Sequence, residues 1–471
     1  MNAPILPKLR VKVSKPLSKS RFLSGLQCEK RLWFETHAKA VGPSAPDPEA
    51  DYILQQGTAV GILARNLFPG GRLITASFME PQLAVVETQQ AIAEAALLLF
   101  EEGPEGGRAF ARAAILVRRS LKGHWDIFEV KTSGYRDEDE LAEVKDPFLW
   151  DLAVQRFAFE EAGFKIGKTS LVLINSEFVR QGSVDPKKFF KIVDVSNEVS
   201  KRRVDVPARL KALTKVLSLA KAPPKPIGAH CSTPYPCPFM DACWPTESAD
   251  HVFKLRGMRW DKKLSHFHAG RTQFKQLLGE KLTDWQTTQI AVQKSGRVWM
   301  DKPKLKSFLN GLVYPIYHLD FETVNPAVPP FDGVRPFRQT VFQYSLHIQS
   351  KPGAKPQHHE FLPTDRHDPR PALIAALLDQ LGTTGTLLAY NAPFETGRLK
   401  ELAERFPKQR KRIEAVLGRF QDLMTPFAKG WFVHPDFEGS TSIKAVLPAL
   451  VPTMTYKGMP VGDGAGAIRA Y

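Results

Sequence analysis

Four short stretches of this 471-residue sequence carry residue types that could do chemistry together. The first is His124-Trp125-Asp126-Ile127-Phe128-Glu129-Val130-Lys131-Thr132-Ser133. Its alternation places Trp125, Ile127, Glu129 and Lys131 on one face of a strand, and Asp126, Phe128, Val130 and Thr132 on the other. A carboxylate and an ammonium therefore enter the same space. There Glu129 could ligate a divalent ion while Lys131 orients water or steadies a pentavalent phosphate. An isolated Glu-x-Lys is more often an exposed pair on an edge strand, so its neighbours decide its meaning. The second stretch, Asp320-Phe321-Glu322-Thr323, ends a strand-like segment with two carboxylates one residue apart. The third, Asn391-Ala392-Pro393-Phe394-Glu395, turns from an apolar strand into a helix. Strand-end carboxylates are often merely solvated; a second acid-bearing strand–helix junction about 70 residues on makes that reading less apt here.

The fourth stretch is His230 to Trp244, with Cys231, Cys237 and Cys243 spaced six residues apart among four prolines between 234 and 245. Regular helix or strand is excluded there, so something else must order it. Cys28 is the one remaining cysteine. Four thiolates suit zinc or an iron–sulfur cluster; packed, metal-free cysteines are the alternative.

These residues need elements to carry them. Residues 1–17 contain Pro4, Pro7 and Pro16 and read as a basic tail. A helix is expected from Ser18 or Ser20, either being a fit N-cap, to about His37. Further helices are expected over 50–68 and 80–102, the latter from Leu83, Val86, Ile92, Ala96 and Leu99. Residues 108–118 and 124–133 read as a hairpin, 145–163 as a helix carrying Gln155, and 169–176 as a buried strand. The Ala-Pro-Pro-Lys-Pro run at 222–226 reads as a stiff linker. Residues 250–311 look helical and basic. Beyond them, strands at 316–323, 337–349 and 386–390 alternate with helices at 371–381 and 396–406. Such alternation predicts an α/β fold with more than one core, as the length also demands.

The net charge of +16 is concentrated in two places. Residues 1–31 carry eight Lys/Arg against Glu29, and residues 254–306 carry thirteen against four acids. Such clustering fits a polyanion partner or a solvated basic surface. No apolar run approaches the ~20 residues a membrane span needs. Without a secretory apolar core, and with reduced thiols, a cytoplasmic setting is expected.

At Cys28, Glu129-Val130-Lys131, Gln155 and the Cys231/Cys237/Cys243 set, the first half resembles RecB-like nucleases of the PD-(D/E)XK superfamily. It is closest in pattern to the iron–sulfur branch that includes CRISPR-adaptation exonucleases and AddB-type repair nucleases. The resemblance covers roughly the first 220 residues after the tail. It implies a [4Fe-4S] cluster on Cys28, Cys231, Cys237 and Cys243. It also implies Mg2+ or Mn2+ at Glu129, Lys131 as the motif lysine, and Gln155 opening a Gln-x-x-x-aromatic helix motif that ends at Phe159. The superfamily places an aspartate on the preceding strand, where this sequence has Ala114 in Arg112-Ala113-Ala114-Ile115-Leu116-Val117-Arg118. Whether by natural loss or engineered exchange, little cleavage is expected from this half. The second half resembles DnaQ-like DEDD exonucleases of the ribonuclease H-like fold. Asp320-x-Glu322-Thr323 matches the first motif, and Asn391-x-x-Phe394-Glu395 the second, with Glu for Asp. The resemblance implies two metal ions on Asp320, Glu322 and Glu395, with Asp422 nearby. The order of features is similar to that of a bacterial two-domain family which continues into a helix supplying a last aspartate. The sequence ends at Tyr471 before such a motif, and Asp463 is a poor replacement, so a truncated chain or a three-acid site is expected.

The expected organisation is a tail (1–17), an iron–sulfur nuclease domain (18–249), a basic helical connector (250–311) and an exonuclease domain (312–471). The expected activity is metal-dependent DNA hydrolysis in genome defence or repair, with partner proteins of such a system and no membrane. Lys19, Arg21, Lys30 and Arg31 are the expected phosphate contacts. Two rivals stand beside it: a non-cleaving module that recognises nucleic-acid ends, and an RNA-processing exonuclease.

Overall fold

The computed structural model describes residues 17–38, 48–75, 87–88, 90–91, 98–102, 105–106, 109–110, 113–119, 123–136, 144–244, 248–456, 458–459, 461 and 464–471. The fold is mixed α/β, and the chain divides into two compact units. Residues 1–245 and 326–337 form the first; residues 246–325 and 338–471 form the second. The basic segment 250–311 thus clusters with the second unit, and the short stretch 326–337 with the first.

In the first unit, α1 (Lys19–Gln27) and α2 (Glu29–His37) are followed by α3 (Pro48–Arg65). The single helix expected over 18–37 is interrupted at Cys28, whose extended backbone (φ −161°) ends α1 and caps α2. Ser18 caps α1 as expected, its Oγ accepting from the Arg21 N–H at 3.3 Å. A six-stranded sheet runs in sequence order: β1 (Arg72–Leu73), β2 (Leu98–Glu102), β3 (Ala113–Arg118), β4 (Trp125–Tyr135), β5 (Ile166–Asn175) and β6 (Phe190–Asp194). β3 and β4 pair antiparallel, β4 and β5 parallel, β5 and β6 antiparallel.

Residues 98–102, expected as the end of a helix, are strand. Leu98, Leu99 and Phe100 pair with Val117, Leu116 and Ile115, and an apolar run of that length serves either period. Most of 80–97, the tail 1–16, the 120–122 turn and Asp463 lie outside the described residues.

Alternation along β4 is as read. Trp125 and Ile127 join the core beneath α4 (Asp146–Glu161), while Phe128 and Val130 pack with Val60 and Ala64 of α3 on the opposite face. β5 is buried on both faces through Leu171-Val172-Leu173-Ile174, as a central parallel strand should be. α5 (Ser196–Arg203) and α6 (Val206–Leu217) complete the layer on the α4 side.

The second unit opens with α7 (Trp260–His268), α8 (Asp284–Ser295) and α9 (Lys302–Asn310). Its five-stranded sheet comprises β7 (Ile316–Val324), β8 (Thr340–Gln349), β9 (Gln357–Phe361), β10 (Thr386–Ala389) and β11 (Phe420–Asp422), in spatial order β9-β8-β7-β10-β11. β7, β10 and β11 are parallel; β8 runs against β7, and β9 against β8. α10 (Arg370–Gln380), α11 (Pro393–Arg405) and α12 (Arg410–Leu417) cover one face, where Tyr317, Leu319 and Phe321 meet Leu373, Leu377, Leu399 and Ile413. α13 (Ile443–Leu450) and α14 (Gly464–Ala470) follow. Among the described residues no helix is long and apolar enough to cross a membrane.

Candidate functional site

Glu129 is 5 % exposed on β4, and its Oε1 accepts from Lys131 Nζ at 2.8 Å. Pairing of β4 with β5 shifts register between Val130 and Gly134, so Lys131 lies at an irregularity of the sheet, a common way of aiming a side chain into a site. Two further residues join them. Asp151 on α4 takes a short hydrogen bond from Lys131 through Oδ2. Lys19, the first residue of α1, places its Nζ 3.0 Å from Glu129 Oε1 and 3.1 Å from Asp151 Oδ1. Gln155 donates from Nε2 to Asp151 Oδ1 at 2.8 Å, one helical turn along, and its Oε1 is buried without a hydrogen-bond partner among the described residues.

Two ammonium groups thus stand against two carboxylates. Burial alone would lower both lysines, but Asp151 and Glu129 outweigh it and hold Lys131 and Lys19 above their ordinary values. Burial would raise Asp151, yet Lys131 and Lys19 keep it well below the usual carboxylate range. Asp126 points away, accepting from Arg119 Nε at 2.6 Å and the Lys168 N–H at 2.8 Å. Ile115 pairs with Phe128 and Leu116 with Ile127; the same register sets Ala114 across from Glu129.

Sequence reasoning placed Glu129, Lys131 and Gln155 here, and they do come together. It missed Asp151, whose only signal is its position four residues before Gln155 on the same helix face. Lys19, expected at phosphates, is turned into the carboxylates. Arg21 is half-buried on α1.

The four cysteines line a single pocket, together with Lys30, Arg31, Phe34, Lys225 and His230. Gln27 ties the cysteine loop to the end of α1 by donating to the His230 and Tyr235 carbonyls at 2.8 and 2.7 Å. Burial pushes the Cys237 thiol up; the Phe239 N–H and Arg31 oppose this, while Cys28 and Cys231 add to it. Lys30 lies over the Phe34 ring, and Arg31 is held by Glu35 at 2.8 Å. Among the described residues no three His, Cys, Asp or Glu side chains are drawn in tightly enough to hold one ion. A single zinc at ~2.3 Å from each sulfur would need that closeness. The four thiolates around one pocket are the donor set an iron–sulfur cluster would use, one to each iron.

In the second unit the three parallel strands end at one edge, where open α/β sheets bind ligands. Asp320 lies on β7, Asp422 ends β11, and Glu395 sits in the first turn of α11, after β10 turns through Asn391 at φ +70°. Asn391 tolerates that left-handed conformation better than most residues. Asp422 Oδ1 accepts from the Asn391 and Met424 N–H groups, both at 2.9 Å. Glu322 is half-buried at a second bulge, between Glu322 and Thr323, and the space a Cβ would take on Gly464 of α14 is 3.7 Å from its Oε2.

Glu395 is 3 % exposed, and its Oε2 is buried without a hydrogen-bond partner among the described residues. Burial, then Asp320 and Asp422, push its carboxyl up to about 7, with its own backbone N–H and Arg398 offsetting only part. The protein around Asp320 raises its carboxyl too, although solvent still reaches the residue. Burial and Asp422 push Tyr390 up to about 12, and burial and Asp320 raise Tyr456. Asp320 and Asp422 therefore both act on the buried Glu395 carboxyl, and a cation beside it would relieve that repulsion.

Residues 317–442, which span Asp320, Glu322, Glu395 and Asp422, match the family described as Domain of unknown function (DUF2779). The chain is 29 % identical over 166 residues to "Uncharacterized protein UU173" of Ureaplasma parvum serovar 3, covering 31 % of this chain and 24 % of that protein. It is 28 % identical over 192 residues to "Uncharacterized protein MG366 homolog" of Mycoplasma pneumoniae, covering 36 % of this chain and 29 % of that protein. These matches span 24 % and 29 % of the length of the two curated relatives.

Proposed function

We propose that this chain is a metal-dependent nuclease whose working centre is the carboxylate group of the second unit: Asp320, Glu322, Glu395 and Asp422. The observation that carries this reading is Glu395, a buried carboxyl pushed up to about 7 beside two other acids, with one oxygen lacking a hydrogen-bond partner among the described residues. A structural carboxylate this deep is normally answered by a cation or by donors. Divalent ions are what such a group is built to receive. Held there, Mg2+ or Mn2+ supplies the charge that activates water and stabilises a leaving oxygen. This chain's own part is to fix Asp422 by two backbone N–H groups, to set Glu395 on a helix turn and to aim Glu322 by a bulge. The sheet order β9-β8-β7-β10-β11, with β8 reversed, also suits the ribonuclease H-like exonuclease fold that the motifs resemble.

The first unit we read as a PD-(D/E)XK-type fold with a [4Fe-4S] cluster on Cys28, Cys231, Cys237 and Cys243. Its antiparallel–parallel–antiparallel strand succession and the meeting of Glu129, Lys131 and Gln155 support that reading. Its carboxylates are already neutralised by Lys19 and Lys131, and Ala114 adds no third. This favours a unit that holds nucleic acid without cutting it, in a cytoplasmic defence or repair system.

The test is cleavage of end-labelled single-stranded DNA and RNA with Mn2+ and with EDTA. Metal-dependent shortening of either strand is expected, DNA in preference to RNA. Binding without any cut by the wild-type chain would replace this reading with the end-recognition one. A brown preparation with visible absorption that chelation or oxidation bleaches is expected for the cluster; a colourless, zinc-containing one would remove it.

A further inference from the structure

Three histidines stand side by side on neighbouring strands of the second unit. His318 on β7 pairs with His347 on β8, and His347 pairs with His358 on β9. Strand alternation puts all three on the sheet face that carries Asp320 and Glu322, opposite the face packed against α10 and α11. His347 and His358 are exposed and His318 is half-buried. The His347 and His358 rings are stacked, with centroids 4.3 Å apart and planes 22° from parallel. Ser345 Oγ, 3.2 Å from His358 Nε2, steadies that ring, and Glu360 reaches to 4.0 Å. Burial and His358 lower the His347 imidazole from its ordinary value.

The row has an address. Along β7 it lies two residues from Asp320, about 7 Å at strand rise. In the other direction β8 and β9 are joined by a loop carrying Lys351 and Lys355, both exposed and in no ion pair among the described residues. Carboxylates, imidazole rings and lysines therefore follow one another along a single open sheet face, over roughly 20 Å. The two rings cover one another's inner faces, so an unpaired base would continue the stack from its outer face, and the lysines answer the phosphates beyond. Rings stacked face to face do not converge on a point, so this arrangement serves a π-face better than an ion.

We propose that His318, His347 and His358 form a base-stacking platform that holds a single strand of nucleic acid leading to the Asp320 site, with Lys351 and Lys355 contacting its backbone. This rests on the reading of the second unit as a nuclease and names the substrate form it takes: an unpaired strand, DNA or RNA, lying across β7, β8 and β9.

The test uses the full chain in EDTA, so that bound strand is not cut. Fluorescein-labelled oligo(dT) and oligo(U) are followed by anisotropy, and a 2-aminopurine base reports stacking by quenching. The double variant His347→Ala/His358→Ala is expected to weaken binding by about tenfold or more and to abolish the quench. His347→Phe/His358→Phe keeps flat rings without ring nitrogens, and should keep both signals. Both pairs are exposed, and unchanged melting confirms that each variant folds. Equal affinity of the Ala variant overturns the platform. So does a Phe variant as weak as the Ala one, which would assign the imidazole nitrogens to an ion or a proton instead. If the wild-type chain cuts with Mn2+ while the Ala variant binds normally, the platform alone fails. A wild-type chain that neither binds nor cuts removes the nuclease reading as well.

Discussion

Glu129 and Asp151 in the first unit face the ammonium groups of Lys19 and Lys131 at hydrogen-bond distance, whereas Glu395 in the second faces Asp320 and Asp422. Both sites are acidic residues beside a β-bulge, and both stand on an α/β sheet. One has its charge answered from within the chain; in the other, burial and two neighbouring carboxylates leave Glu395 with a raised carboxyl. The difference teaches that a motif of the right residues marks a place, while the local balance of charge says whether that place awaits a cation.

The sharpest way to break this comparison is cleavage. Asp320→Asn or Glu395→Gln is expected to lower Mn2+-dependent cutting by about 10²- to 10³-fold, the cost of removing a key electrostatic group. Glu129→Gln should leave it within a few-fold. Equal losses at both sites would erase the distinction.

Stability should invert the order. Asp151→Asn leaves two buried ammonium groups against one carboxylate and should cost about 3–5 kcal/mol. That lowers the melting of the first unit by on the order of 10 °C. Asp320→Asn removes a repulsion and should leave the melting of the second unit unchanged or slightly raised. Scanning calorimetry of the two variants decides it.

The pH response follows from the same contrast. Between the ordinary Glu value of 4.5 and about 7, folded Glu395 holds a proton that the unfolded chain has released. The second unit should therefore lose stability as pH rises through that window and level off above it. Mn2+ at about a hundred times its Kd should restore roughly 3 kcal/mol at pH 8 and much less at pH 5. Asp151, held low, contributes above the usual Asp range and loses its contribution only as pH falls through its depressed value. Melting curves at several pH values, with and without Mn2+, check both signs.

The smallest effect is expected at Ala114. Ala114→Asp adds a third carboxylate across from Glu129 and tips the four-charge group to a net negative. Titration calorimetry should then detect one weak additional Mn2+ site, which Glu129→Gln removes.

Much of this was legible in the sequence because period and capping are local. The two faces of β4, the Ser18 cap and the turn at Asn391 all follow from residues a few positions apart. What escaped depends on residues far along the chain. Asp151 is 20 residues from Lys131 and still further from Lys19, so no spacing rule joins them. Lys19 looked like a surface cation because nothing nearby showed that α1 would deliver it to β4. The strand at 98–102 was misread because Leu98-Leu99-Phe100 suits either period until its partners are known. The histidine row is invisible in sequence, since it exists only through the registers of three strands.

One short helix has a mechanical consequence. α1 begins at Lys19, whose ammonium sits between Glu129 and Asp151, and ends against Cys28, which lines the four-cysteine pocket. Nine residues of helix make a rod of about 14 Å, too short to bend appreciably. A shift of Cys28 at one tip is therefore expected to reach Lys19 at the other. Oxidising the thiols should then disturb the contact of Lys19 with Glu129 and Asp151.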